Sequence, residues 1–154
     1  MSATSPVVPS EATPTRSVGA QVYSVLAALS VLLIVVQVLV AGSGLFTIAH
    51  QLDDNHAYTV SQWNDSPYWG IHFFNAIAIA IVILAMLGTT FAAKLNSAKR
   101  LTGILLGLLV LQAILGFIPW PAPVAALHVL NAFAMLGIAG ALARQNWAFG
   151  RRPR

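Results

Sequence analysis

Four long runs of this chain contain no Asp, Glu, Lys or Arg: residues 18–48, 68–93, 101–118 and 124–143. No other feature constrains the fold as tightly. Each run is near or above the ~20 residues an α-helix needs to cross ~30 Å of hydrocarbon. Strands are disfavoured, because the runs do not alternate and an open sheet leaves backbone groups unpaired in lipid. Of the 154 residues, 58% are hydrophobic and 8% charged, against roughly 25% charged in a soluble domain. That surplus of apolar side chains exceeds what a soluble core can hide. The expected fold is an all-α membrane protein: a four-transmembrane up-down helix bundle.

All eight Lys and Arg residues fall at one end of such a bundle. Arg16 precedes the first run, Lys94, Lys99 and Arg100 separate the second from the third, and Arg144, Arg151, Arg152 and Arg154 follow the fourth. Asp53, Asp54 and Asp65 lie in the opposite loop. The positive-inside rule then places both termini in the cytoplasm. It also accounts for a pI near 10.1 without nucleic acid as a partner. Residues 1–17, rich in Ser, Thr and Pro, read as a disordered cytoplasmic tail, and they lack the basic start of a signal peptide. Residues 18–143 are expected to form one transmembrane domain, and residues 144–154 a basic tail. In that tail Trp147 and Phe149 suit headgroup level, with arginines facing anionic lipid. Pro119, Pro121 and Pro123 break the chain into a tight turn between the last two spans, with Trp120 at the interface.

The chain has no cysteine, which excludes disulfides, thiolate metal sites and a covalently attached c-type haem. The outer loop, residues 49–67, holds His50, Asp53 and His56. Their spacing matches no closed metal site, so a solvated loop is expected.

The chain also repeats itself. The first and third spans each carry one glutamine followed by small residues, in "VVQVLVAGSG" and "VLQAILGF". The second and fourth carry "GIHFFNAIAIA" and "ALHVLNAFAML", which share a His-x-x-Asn-Ala pattern. The order is Gln-span, His-span, Gln-span, His-span, a parallel two-helix repeat about an axis along the membrane normal. At about 1.5 Å per residue, His72 and His128 each lie roughly 6 Å below the outer surface. Asn75, Asn131, Gln37 and Gln112 follow just beneath, one amide per helix.

Polar residues inside a membrane are costly and face the bundle interior. One reading is interhelical glue, at ~0.6 to 2 kcal/mol per hydrogen bond. Glue suits the two glutamines; it does not call for two histidines at matched depth on repeated helices. In an up-down-up-down bundle the His-spans are diagonal neighbours, roughly 11 to 14 Å apart between axes, with room for a metal centre. A bare zinc ion takes four ligands, and no Cys, Asp or Glu lies at this depth. Haem supplies four nitrogens itself and takes at most two axial ligands from protein. Small residues such as Ala76, Ala132, Gly42, Gly44 and Gly116 would clear space for it, or serve close helix packing.

These motifs, over about residues 25–143, resemble one four-helix half of the haem A synthase family. "LLIVVQVLVAG" and "LLVLQAILGF" are similar to its Gln-containing helices, and the two His-x-x-Asn-Ala stretches to its His-containing helices. The resemblance implies a bacterial inner-membrane protein with His72 and His128 as axial metal ligands of one non-covalent haem b near the outer face. Asn75, Asn131, Gln37 and Gln112 would then line the cofactor pocket. The chain also resembles small bacterial four-span membrane proteins with "LHxxNA" near the last helix. It departs from haem A synthase in having one bundle, no outer cysteine pair and no acidic residue just before His72. The fold and haem site carry over; methyl oxidation of haem does not, and no residue is assigned a catalytic role. The expected function is electron transfer or haem handling, with lipid, and a redox protein or quinone, as partners. Oligomeric assembly is left open. The alternatives are a haem-free membrane subunit or scaffold, and a quinone-binding protein using His and Gln as hydrogen-bond partners.

Overall fold

The computed structural model describes residues 17–53, 59, 61–62, 65–118 and 121–149. Within them lie four long helices: α1 (Val18–Asp53), α2 (Pro67–Ala92), α3 (Asn96–Phe117) and α4 (Ala122–Gln145). All four are long and apolar enough to cross a membrane. Helix α1 packs on α2 and α4, and α3 packs on the same two. The pairs α1/α3 and α2/α4 are thus the diagonals of a four-helix square.

The interior is filled by Tyr23, Ala27, Ile34, Ile79, Ile83, Met86, Leu105, Met135, Ala139 and Leu142, all buried. The outside is apolar too: Phe74, Ile81, Leu39 and Leu130 are exposed. A helix that is hydrophobic all round in a bundle this thin needs lipid as its solvent. The chain is therefore an all-α membrane bundle.

The helix ends follow local chemistry. Ser66 caps α2, its Oγ accepting from Trp69 N–H at 3.3 Å, with Pro67 as the first helical residue. At the other end Lys94 adopts a left-handed φ of 52°. Leu95 N–H then reaches Thr90 O at 2.9 Å and Lys94 N–H reaches Phe91 O at 3.3 Å. That is a Schellman cap, normally built with glycine at the left-handed position. Helix α3 begins at Asn96, ahead of its apolar run, so Lys99 and Arg100 extend a helix already formed. Helix α1 continues past Ile48 to Asp53, through "AHQLD", which holds no Gly or Pro to stop it. It overshoots the start of α2 by roughly 15 Å. Gly19 brings α1 against α2: a Cβ there would lie 2.5 Å from Ala93 Cβ.

Residues 1–16 of the tail expected over 1–17, His56 of the outer loop, Trp120 of the turn and Arg151, Arg152 and Arg154 lie outside the described residues. Residues 146–149 follow α4 back toward α1, with Ala148 N–H donating to Ser24 Oγ at 3.1 Å.

Candidate functional site

The four amides form two equivalent constellations, one per half of the chain. On α2, the Asn75 side-chain NH2 donates to Gln37 Oε1 at 2.6 Å and to Leu33 O at 2.9 Å, both on α1. On α4, Asn131 does the same to Gln112 Oε1 at 2.6 Å and Leu108 O at 2.9 Å, both on α3. Leu33 and Leu108 each lie four residues before their glutamine. The spacing explains the motif: one helical turn places the carbonyl and the glutamine on one face, so a single asparagine clips both. The amides pair within each half, α1 with α2 and α3 with α4. This tightens the expectation of one shared layer into two separate locks.

The remaining NH2 groups differ. Gln37 Nε2 donates to the backbone carbonyl of His72 at 3.0 Å. Gln112 Nε2 lies 2.9 Å from Nε2 of the His128 ring itself. Because Gln112 Oε1 already accepts from Asn131, its NH2 is the donor and His128 Nε2 the acceptor. A neutral imidazole with an accepting Nε2 carries its proton on Nδ1.

The two histidines meet across the α2/α4 diagonal. Their ring centres are 6.4 Å apart and their planes tilt by 39°. On both rings Nδ1 is buried without a hydrogen-bond partner. Such atoms are uncommon and cost about 1–3 kcal/mol each when left unmade. Trp69 stacks on His72 at 6.2 Å between centroids and 16° between planes. His128 lies against α3 at Gly116, where a Cβ would come within 3.0 Å of the His128 ring. Any larger residue at 116 displaces the imidazole. Gly42 has open space around it and holds no such gap.

Trp69 and the carbonyls of Leu33 and Leu108 are the parts of the site that motif reading missed. Trp69 had a signal, lying three residues before His72 and so one turn away on the same face. A second polar group, also missed, sits at the basic end. Thr102 donates to Ala98 O at 2.9 Å, so the buried Tyr23 hydroxyl donates to Thr102 Oγ1, at 2.7 Å. This bond spans the other diagonal, α1/α3.

Fold and site together define a multi-pass membrane protein whose four helices carry one polar lock per half. A family model described as the PspC transmembrane region (LiaI-LiaF-TM_PspC) matches residues 22–128, and the chain belongs to that family. The match runs from Val22, one turn into α1, to His128 in α4. No curated protein and no solved structure matches. The haem A synthase resemblance has no counterpart in these comparisons.

Proposed function

We propose that the chain is a b-type cytochrome-like membrane protein, with one non-covalent haem between His72 and His128, serving electron transfer or haem handling. The observation that carries this reading is the histidine pair, with ring centres 6.4 Å apart and an unpartnered buried nitrogen on each ring. A metal in line between two imidazoles sets the ring centres about 6 Å apart, given metal–nitrogen lengths of about 2 Å. A bare ion fits less well: no group of three or more His, Cys, Asp or Glu residues is gathered among the described residues. The donor set therefore suits a group that brings most of its own ligands.

Haem would supply a one-electron iron couple whose potential follows axial ligands, burial and nearby hydrogen bonds. The chain's own residues do the rest. His72 and His128 hold from opposite helices. For His128 to ligate through its unpartnered Nδ1, the ring proton would have to move from Nδ1 to Nε2 and Gln112 turn to accept it. The two Asn–Gln locks keep each His-helix in register with its partner, and the apolar shell excludes water. In this reading the histidine end is the outer end and both termini are cytoplasmic, as the basic residues favour.

A haem-free membrane module is the second reading. The Gln112–His128 contact favours it, because it makes His128 part of an interhelical lock. A quinone-binding protein is the third, with His128 Nδ1–H as donor to a carbonyl. An absorption spectrum of the full chain, purified after expression with ample haem, separates these. The first reading expects a low-spin Soret band with α and β bands on reduction; the others expect none.

A further inference from the structure

We propose that the groove between α1 and α4 at the basic end binds one anionic phospholipid, with an acyl chain along Ala28 and Gly140 and the phosphate on Arg144. The groove is shallow and open on its lipid side, offers about 530 Å³, and is lined by Ala28, Val31, Gly140, Ala143, Arg144 and Trp147. Its chemistry is graded. Small and aliphatic side chains form the floor; a guanidinium and an indole stand at the end where the helix leaves the hydrocarbon. That is the order in which a lipid presents its chain and headgroup.

Three observations separate this groove from ordinary helix packing. First, a Cβ built on Gly140 meets nothing within 4 Å, so no helix of this chain closes over the groove at that point. Second, Arg144 stands in the last turn of α4, while the described acidic residues, Asp53 and Asp65, lie at the opposite end of the bundle. No described carboxylate stands at the Arg144 end of the bundle, and Arg forks match phosphate oxygens in pairs. Third, the wall is built. The Ala148–Ser24 hydrogen bond at 3.1 Å ties the segment after α4 to α1, and Trp147 in that segment packs edge-on against Phe149 at 5.6 Å. The tie holds the indole beside the groove's mouth.

The test uses the full chain in detergent, offered equal amounts of phosphatidylglycerol and phosphatidylcholine, with bound lipid counted by native mass spectrometry. One phosphatidylglycerol should be retained in preference. Arg144→Gln should lower that retention about fivefold. Gly140→Leu, whose Cβ meets nothing within 4 Å and whose branch would occupy the groove, should lower it at least as far. Gly103→Leu on α3, where a Cβ also meets nothing within 4 Å, should leave it unchanged. Equal retention of the two lipids, or undiminished retention in Arg144→Gln, overturns the proposal. So does a wild-type dimer without lipid preference that Gly140→Leu dissociates, because the groove then takes a second copy of the chain. Arg144→Gln alone decides the matter if Gly140→Leu does not fold.

Discussion

His72 and His128 sit on diagonal helices with ring centres 6.4 Å apart, although no direct helix packing joins α2 to α4. The pair is reached only through the two neighbours that hold it. Helix α1 grips α2 through Gln37 and Asn75, and α3 grips α4 through Gln112 and Asn131. The site is thus a product of the repeat: either half alone supplies one histidine and one lock.

The locks make a first prediction. Asn131→Leu leaves Gln112 Oε1 without its donor and strips the second bond from the Leu108 carbonyl, which keeps its helical N–H partner, at a cost of about 1–3 kcal/mol. Thermal unfolding in detergent should show the loss. The double variant Asn131→Leu/Gln112→Leu removes both ends of the side-chain bond and should recover part of it. Strict additivity of the two single losses would mean that the pair is not coupled.

With haem bound as proposed, Gln37 and Gln112 should differ in their effect on it. Gln112 meets the ring of His128, whereas Gln37 meets only the backbone of His72. Gln112→Leu is therefore expected to shift the midpoint potential, and Gln37→Leu to leave it nearly in place while weakening the bundle. Redox titration of both variants checks this. A larger shift in Gln37→Leu would reverse the roles assigned here.

The legible part of this molecule was its periodicity. Four uncharged runs marked four helices, and the repeated His-x-x-Asn spacing marked which faces turn inward, because a three-residue step stays on one side of a helix. What spacing did not carry was direction across the bundle. Whether Asn131 reaches Gln112 or an amide of the other half depends on helix rotation and tilt, which packing sets. The stacking of Trp69 on His72 and the contact of His128 with Gly116 are likewise tertiary facts. The Tyr23–Thr102 bond joins residues 79 apart, with no motif to announce it. The long reach of α1 to Asp53 escaped because polarity ends a membrane span without ending a helix.

The cap at Lys94 gives a prediction independent of any cofactor. A side chain at φ 52° carries a steric cost that glycine does not. Lys94→Gly should stabilise the α2–α3 connection by about 1 kcal/mol, read as a higher midpoint in thermal unfolding. A lower midpoint would mean that the lysine side chain contributes more than its conformation costs.

The charge distribution makes a topology prediction. A reporter active only in the cytoplasm should work when fused after Arg154, and a cysteine placed at Thr59 should label with an impermeant reagent from the periplasmic side. Activity of a periplasm-only reporter at the same C-terminal fusion point would invert the molecule.

The most direct measurement is the visible spectrum of the full chain, compared with those of His72→Ala and His128→Ala. The wild type should show a low-spin bis-imidazole spectrum, and each histidine variant should turn high-spin or lose haem, while Asn75→Leu and Asn131→Leu keep a Soret band. A wild-type protein without a Soret band after expression with ample haem, or histidine variants whose spectra match the wild type, would contradict the assignment of His72 and His128 as the axial pair.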